Sequence, residues 1–371
     1  MQLELDPTTQ ALLDAHGFDR ASFERLRAAF RAGELSVDCN RVSGALLPPS
    51  EQHVRPLPPI GSPERAALAE RGSEALRAGQ VGAVVLAGGM ATRFGGVVKA
   101  GVEALPGHSF LSLKLADLRS VAREHGSRVP AYVMSSFATH SVLREMIVAE
   151  QTDAVPVELF SQFISLRLTP DGEPFTSADG KVSPYAPGHG DLTFALRASG
   201  ALQDFLAKGG RLLTVSNVDN LGATLDPAVI GAHLAASVQM TVEVGRRTPG
   251  ELGGVPMQLD GKLQIIEDFR LPAGFDFSLV PHFNTNTFVL DAAALDRDFP
   301  LTWFVVRKKV DGRETIQFEH LVGELTAFLS CGGLEIARDG LDGRFQPAKD
   351  PEELARRQPE IERILRARKV L

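Results

Sequence analysis

The stretch VVLAGGMATRFGG carries residue types suited to holding an anion. An apolar run ends in Gly88 and Gly89, Thr92 and Arg93 follow, and Lys99 lies six residues after the arginine. Glycine lets backbone N–H groups approach a phosphate closely, and arginine offers a fixed fork of donors. The spacing matches neither the dinucleotide G-x-G-x-x-G pattern nor the P-loop pattern. It therefore predicts a phosphate-binding loop of another kind, with a glycine turn bearing solvated charges as the alternative.

Two further segments could serve phosphate chemistry. Asp219 stands in SNVDN, directly after the apolar run RLLTV, and a carboxylate there suits Mg²⁺, which binds one or two carboxylates together with phosphate oxygens. The alternative for Asp219 is a turn or capping residue. Lys308 and Lys309 lie in VVRKKVDG, where they could neutralise phosphate charge or form a solvated basic edge.

Composition excludes several classes of protein. The chain has 371 residues, 44% hydrophobic residues, 23% charged residues and a net charge of -7, so we expect no nucleic-acid-binding surface. No apolar run is long enough to span a membrane, and the N-terminus lacks the order of charges typical of a signal peptide. Only Cys39 and Cys331 are present, which favours reduced thiols and a cytoplasmic protein.

Apolar runs and helical periodicities alternate from Val81 onward, which predicts a doubly wound α/β sheet. Residues 1–75 are predicted to be a helical segment and a proline-rich connector, 76–330 the main domain, and 331–371 a helical end interrupted at Pro359. Within the main domain, GVPMQLDGKLQIIED predicts a hairpin, HFNTNTFVL a strand and IQFEHLVGELTAFLS an amphipathic helix. Ligands of such a sheet bind beyond the carboxyl ends of its strands, where GGMATRFGG and SNVDN fall.

Six segments, in order, resemble one family. LAGGMATRFGGVVK is similar to the phosphate loop of sugar nucleotidyltransferases, with Ala91 where glycine is usual. YVMSSF, ELFSQ, YAPGHGDLTFAL, SNVDNLGATLD and FNTNT resemble blocks of the eukaryotic-type UTP–glucose-1-phosphate uridylyltransferases. The resemblance extends from about Val81 to about Leu354. It implies a GT-A-like Rossmann nucleotidyltransferase fold, with a mixed, mostly parallel sheet and helices on both faces, and makes 76–330 the catalytic domain.

The resemblance implies a reaction of UTP with glucose 1-phosphate that forms UDP-glucose and pyrophosphate, assisted by Mg²⁺. Such an in-line displacement depends on positioning and charge neutralisation, and it needs no general base because the attacking phosphate oxygen is already ionised. The implied catalytic cations are Arg93, Lys99 and Lys308, with Lys309 as the neighbour that could substitute, and the implied metal ligand is Asp219. The implied nucleotide-binding residues are Leu86, Ala87, Gly88, Gly89, Thr92, Gln162 and Gly190, and the implied sugar-binding residues are His189, Asn217, Val218, Asn284, Thr285 and Asn286.

Other functions stay open at this point. A broader UDP-sugar or UDP-N-acetylhexosamine pyrophosphorylase shares Arg93 and the lysine pair, whereas GHGD and NLGAT favour the glucose branch. A catalytically weakened nucleotide-binding homologue is a second alternative, because Ala91 replaces the usual glycine and the stretch from Thr92 to Lys99 is about one residue shorter than is usual in the family. A nicotinamide-dependent oxidoreductase is disfavoured because the G-x-G-x-x-G pattern is missing. The chain has no segment resembling the family's C-terminal β-helix, so we expect a monomer or a weak dimer.

Overall fold

The computed structural model describes residues 5–248, 250–251 and 253–371. Nine α-helices occur in these ranges. They are α1 Pro7–Ala15, α2 Arg20–Arg31, α3 Pro63–Arg77, α4 Phe110–His125, α5 His140–Val148, α6 Leu192–Ala198, α7 Ala201–Ala207, α8 Pro227–Ala236 and α9 Pro351–Ala367.

Nineteen strands occur in the same ranges. They are β1 Leu46–Leu47, β2 Val54–Pro56, β3 Val81–Leu86, β4 Met90–Ala91, β5 Val97–Val98, β6 Glu103–Leu105, β7 His108–Ser109, β8 Ala131–Ser135, β9 Val157–Ser161, β10 Ser165–Leu166, β11 Pro184–Tyr185, β12 Leu212–Asn217, β13 Met240–Arg246, β14 Val255–Leu259, β15 Lys262–Ile266, β16 His282–Asp291, β17 Phe304–Val310, β18 Arg313–Glu319 and β19 Cys331–Ile336.

Eight strands form the central sheet, in the order β2-β19-β13-β16-β12-β3-β8-β9. All neighbouring pairs are parallel except the two made by β16, which runs antiparallel between β13 and β12. The amino end of β16 therefore lies at the same edge as the carboxyl ends of the other strands. This is why a polar cluster at the start of one strand can meet polar clusters that follow other strands.

Both faces of the central sheet are covered by apolar side chains, as expected for a mostly parallel sheet. Successive residues of β3 alternate between the two faces: Val81, Ala83 and Val85 belong to one core cluster, and Val84 and Leu86 belong to the other. All six residues of β3 are buried. A rigid central strand therefore leads directly into the glycine loop.

Capping side chains fix where several helices begin. An Asp or Ser at the N-cap accepts a backbone N–H from the first turn of α1, α2, α3, α4, α8 and α9, which satisfies donors that the helix itself leaves unpaired. Pro63 and Pro227 occupy first-turn positions, where the missing N–H costs nothing. Local sequence therefore sets the helix starts that frame the sheet.

The predicted mixed, mostly parallel sheet with helices is confirmed, as are the hairpin formed by β14 and β15 and the strand β16. The helix predicted for 316–330 is wrong, because β18 occupies its first part and a 3₁₀ segment, Val322–Ala327, occupies its second. Residues Thr315–Phe318 of β18 are all buried, so this strand lacks the alternation that identifies a half-exposed strand.

Two details of the predicted helical end are also wrong. Residues 331–336 form β19 of the central sheet, and α9 continues through Pro359 instead of breaking there. Leu354, Ile361 and Leu365 pack into the core, and this burial stabilises the helix against the bond lost at the proline. The division of the chain at residues 75 and 330 stays a prediction, although β2 and β19 from the end segments both join the central sheet.

Among the described residues, no helix combines the length and apolar character needed to cross a lipid bilayer.

Candidate active site

The glycine loop leaves β3 at the edge of the sheet and folds back as the short hairpin of β4 and β5. The main-chain N–H of Lys99 donates to Gly89 O at 3.2 Å, which closes the loop. Thr92 and Arg93 lie exposed at its tip, where the structure gives them no side-chain hydrogen bond to other described residues. The loop therefore presents a hydroxyl and a guanidinium toward solvent.

Ala91 does not strain this loop. Its φ is -85°, which any residue adopts, and Gly95 and Gly96 take the left-handed conformation at 86° and 79°. An alanine here needs no positive φ, so the backbone gives no reason to expect a damaged loop at this position.

Gln162 lies directly against the loop. A Cβ on Gly88 would come within 2.2 Å of Gln162 Nε2, so any larger residue requires this amide to move. Ser136 Oγ donates to Gly88 O at 2.8 Å, and the Gln162 N–H donates to Ser135 O at 2.9 Å. Gln162 Oε1 is buried and accepts no hydrogen bond from any described residue. A buried amide oxygen without a donor is costly, so a ligand N–H that reached this atom would satisfy it.

Asp219 faces the loop from the end of β12. Its Oδ2 lies 2.5 Å from Lys99 Nζ, and both side chains are mostly buried. The Val218 N–H donates to Leu86 O at 3.1 Å, while the Val218 side chain packs in the core with 3% exposure. Val218 can therefore offer only main-chain atoms to a ligand, whereas Lys99 and Asp219 place opposite charges at the sheet edge.

A β-bulge shapes the start of β16. The register with β13 shifts opposite Glu243 and Val244, and Asn286 adopts a positive φ of 56°. The bulge turns the Asn286 side chain toward β12, where its Nδ2 donates to Asn217 Oδ1 at 3.0 Å. Asn284 Oδ1 accepts the Asn286 N–H at 2.9 Å. Asn217, Asn284 and Asn286 are thereby brought together as a cluster of neutral amides.

Thr285 lies apart from this cluster. Its side chain is 2% exposed, and its hydroxyl donates to Glu243 O at 2.8 Å. The structure therefore does not bring the Thr285 side chain to the site, and its hydroxyl is used inside the fold.

The GHGD segment packs closely on the chain after β18. A Cβ on Gly190 would come within 2.4 Å of His320 C, so the two backbones touch. His189 Nδ1 accepts the Val322 N–H at 3.1 Å, which leaves the ring proton on Nε2. Burial lowers the pKa of His189, so the ring is neutral near neutral pH. His189 can thus donate one hydrogen bond from Nε2.

Lys308 and Lys309 lie on β17, at the exposed end of the hairpin that this strand forms with β18. Lys308 Nζ lies 3.5 Å from Glu319 Oε1, and Glu319 Cβ lies 3.8 Å from the position of a Cβ on Gly188. Lys308 therefore points toward the GHGD segment. Neighbouring strand residues point to opposite faces, so Lys309 points away.

A buried group of charges supports the segment that carries Asn217 and Asp219. Lys114 Nζ on α4 donates to Ser216 Oγ at 3.0 Å and to Ala223 O at 2.8 Å, and Asp117 accepts the Leu225 N–H at 2.7 Å. Burial lowers the pKa of Lys114 to about 8 and raises the pKa of Asp117 to about 6.

On the other side of this segment, the Arg344 guanidinium donates to both carboxylate oxygens of Glu243 and to Thr224 O. A cavity of about 30 Å³, large enough for roughly two water molecules, lies among these groups. The sequence did not predict this group of charges, although FLSLKLADL carries a lysine and an aspartate three residues apart within an apolar pattern.

A divalent cation fits this site only as one shared with a ligand. No group of three or more His, Cys, Asp or Glu side chains arranged to hold a metal occurs within the described parts of the chain. Asp219 supplies a carboxylate beside the loop, and Mg²⁺ accepts one carboxylate when phosphate oxygens and water complete its shell. The donor set is thus compatible with Mg²⁺ bound together with a polyphosphate.

Comparison with known proteins identifies the family. Residues 45–360 match the family described as UTP–glucose-1-phosphate uridylyltransferase. The chain belongs to the UTP–glucose-1-phosphate uridylyltransferase family. The match covers every residue of the site described above.

Relatives named as uridylyltransferases align over most of the chain. UTP–glucose-1-phosphate uridylyltransferase 2 of Dictyostelium discoideum is 28% identical over 296 residues, which is 75% of this chain and 58% of the relative. UTP–glucose-1-phosphate uridylyltransferase of Saccharomyces cerevisiae is 28% identical over 280 residues, 71% of this chain and 56% of the relative. The aligned part thus spans less than two thirds of these relatives.

Solved structures share the fold. The UDP-N-acetylglucosamine pyrophosphorylase of Trypanosoma brucei, solved with an inhibitor, superposes with a TM-score of 0.77 at 19% identity over 95% of this chain and 79% of the other. A mutant UDP-glucose pyrophosphorylase of Leishmania major gives a TM-score of 0.70 at 22% identity, with the same coverage. The predicted nucleotidyltransferase fold is therefore confirmed.

Proposed function

We propose that the protein is a uridylyltransferase that makes UDP-glucose and pyrophosphate from UTP and glucose 1-phosphate. The main support is Gln162, whose buried, unpaired amide oxygen lies against Gly88 of the phosphate loop. An amide can both accept from and donate to the hydrogen-bonding edge of uracil. If the uracil of UTP bound there, its triphosphate would extend along the loop toward Lys99 and Asp219.

The proposed reaction is an in-line displacement at the α-phosphorus of UTP. An ionised oxygen of the sugar phosphate forms the new P–O bond, the bond to pyrophosphate breaks, and no proton has to move. Lys99 and the exposed Arg93 would neutralise the triphosphate. Lys308 would approach the phosphates from the hairpin of β17 and β18. Asp219 would hold Mg²⁺, which supplies charge neutralisation and orients the phosphates.

The sugar-facing groups are neutral. Asn217, Asn284 and Asn286 offer amide donors and acceptors, and His189 Nε2 offers a donor, a set that suits sugar hydroxyls. No feature of this cluster is specific for an N-acetyl group, so glucose 1-phosphate is the first choice. A broader UDP-sugar or UDP-N-acetylhexosamine pyrophosphorylase remains the second candidate, because a solved protein of that activity shares the fold.

The deciding experiment measures pyrophosphate release from UTP, Mg²⁺ and a panel of sugar 1-phosphates. We expect release with glucose 1-phosphate at the highest kcat/KM, and none when Mg²⁺ is chelated. A higher kcat/KM with N-acetylglucosamine 1-phosphate would transfer the assignment to the second candidate. Absence of release with every sugar, together with measurable UTP binding, would support a catalytically weakened homologue instead.

We also infer a cytoplasmic monomer or weak dimer that binds neither nucleic acid nor membranes. The two cysteines are not joined in a disulfide, which is consistent with a reducing compartment. The net charge of -7 disfavours a nucleic-acid partner.

A further inference from the structure

The end of the N-terminal helix α1 contacts both chain neighbours of Gln162. His16 Nδ1 lies 2.9 Å from Ser161 Oγ. A Cβ on Gly17 would lie 2.9 Å from the Phe163 ring, and Gly17 has a φ of 67°, so glycine is required for this close approach. A segment predicted to precede the catalytic domain therefore packs against both neighbours of the residue that we assign to base recognition.

The direction of the hydrogen bond from His16 can be deduced. The Ser161 hydroxyl donates its single proton to Gln162 O at 2.8 Å. Its oxygen must therefore accept from His16, so the Nδ1 of His16 carries the ring proton. The result is a chain of two hydrogen bonds that ends on the main-chain oxygen of Gln162.

The neighbouring strand repeats this arrangement. His140 Nδ1 lies 2.8 Å from Ser135 Oγ, whose proton goes to a main-chain oxygen of β9 at 2.9 Å. Ser135 pairs with Ser161 in the sheet, and Ser135 O accepts the Gln162 N–H. The His16 and His140 rings meet edge to face at 5.6 Å, and burial lowers the pKa of both, so both are neutral near neutral pH.

The Gln162 backbone is thus held at both its N–H and its C=O. The tolerance for movement is small, because the Gln162 amide already touches Gly88. Loss of the His16 contact would free the Ser161 hydroxyl to rotate and would loosen one of the two attachments. The side-chain amide would then sample positions that fit a base less well, and ordering it again would weaken nucleotide binding.

We propose that His16 is a positioning residue for nucleotide specificity, which acts through Ser161 on the uracil-reading side chain Gln162. This inference rests on the proposed uridylyl transfer. It assigns a functional role to the N-terminal helical segment and predicts an effect confined to the nucleotide, since within the described residues the asparagine cluster and Lys308 form no hydrogen bond or ion pair with α1.

Three variants test the proposal. His16→Phe keeps a ring but removes the donor, and His16→Asn keeps a donor near the Nδ1 position. Ser161→Ala removes the hydroxyl that links His16 to Gln162 O. We expect His16→Phe and Ser161→Ala each to raise the KM for UTP about 3- to 10-fold, the effect of losing one hydrogen bond. The KM for the sugar 1-phosphate and kcat should change less than twofold. His16→Asn should restore most of the UTP affinity, and the double variant His16→Phe/Ser161→Ala should match the single ones.

His125→Phe is the matched control, since His125 also bonds a serine, Ser73, at 3.0 Å, but between α3 and α4. It should leave the KM for UTP unchanged. An unchanged KM in His16→Phe, or equal losses for both substrates, would overturn the proposal. If His16→Phe does not fold, as judged by its unfolding midpoint, Ser161→Ala decides alone. Wild-type protein that releases no pyrophosphate would instead reject the proposed function itself.

Discussion

At the scale of residues, the contact between Lys99 and Asp219 is central to the site. The ammonium and the carboxylate lie 2.5 Å apart and neutralise each other. A triphosphate would offer Lys99 other oxygens, and the carboxylate would then be free for a cation. The pair thus places the cation for the triphosphate and the carboxylate for the metal side by side in the site.

We predict that Asp219→Asn loses metal-dependent turnover and keeps the fold. The amide has nearly the same volume but binds Mg²⁺ weakly, so kcat should fall about 100-fold or more, as when a group that stabilises transferring charge is removed. Pyrophosphate release measured against Mg²⁺ concentration checks this, with circular dichroism to confirm folding. Retained activity at ordinary Mg²⁺ concentrations would show that the metal is held elsewhere.

The two lysines of β17 should differ in their contribution to kcat. We predict that Lys308→Ala lowers kcat about 10- to 100-fold, because this side chain points toward Glu319 and the GHGD segment. Lys309→Ala is the matched control and should stay within twofold, because its side chain points to the other face of the hairpin. Steady-state kinetics of the two variants side by side would decide, and the reverse order would move the role to Lys309.

At the scale of elements, the glycine loop and β9 depend on each other. Gly88 leaves just enough room for the Gln162 amide, and Ser136 Oγ fastens the loop to the end of β8. The loop is therefore shaped by contacts from two neighbouring strands as well as by its own glycines.

We predict that Gly88→Ala raises the Kd for UTP at least about 10-fold. The new methyl group would occupy space that the Gln162 amide fills, so either the amide or the loop must move. Gly332→Ala on β19 is the control, since a Cβ there meets Val238 at an ordinary 3.8 Å. Calorimetric titration with UTP compares the two, and equal affinities would show that the amide can adapt.

Sequence patterns identified these elements to different degrees. The buried run before Gly88 and the Asp-Gly turn between β14 and β15 were readable, because they depend on local chemistry. Strand β18 was not, because it is buried on both faces and its polar residues, such as Gln317, find partners from distant segments. The buried contacts of Lys114 and Arg344 could not be predicted either, since only the tertiary fold brings their partners together.

At the scale of the whole molecule, buried ion pairs connect segments far apart in the chain. Arg344 bonds to Glu243 on β13, and Asp226, the cap of α8, lies between Arg344, Arg65 and Arg368. These cations hold the pKa of Asp226 at about 2 despite its burial. The chain end, the sheet and the N-terminal helix α3 are thereby held to one another.

We predict that Arg344→Met lowers the free energy of unfolding by about 3–5 kcal/mol, because it leaves the Glu243 carboxylate buried without its partner. Arg246→Met is the control: Arg246 also pairs with a glutamate, but its side chain is 68% exposed, so the change should cost no more than about 1 kcal/mol. Urea denaturation of both variants measures the difference. Equal losses would mean that the buried pair contributes no more than an exposed one.

The place of β2 in the sheet has a consequence for how the chain is made. This strand lies at the sheet edge, and among the described residues it pairs in the sheet with β19 alone, which follows much later in the sequence. During synthesis β2 therefore stays unpaired until residues 331–336 have emerged. The pairing closes a very long loop, a step that is slow relative to local helix formation. The attachment of β2 should thus be among the last events of folding, and a ribosome-bound chain that stops before β19 should expose it to protease.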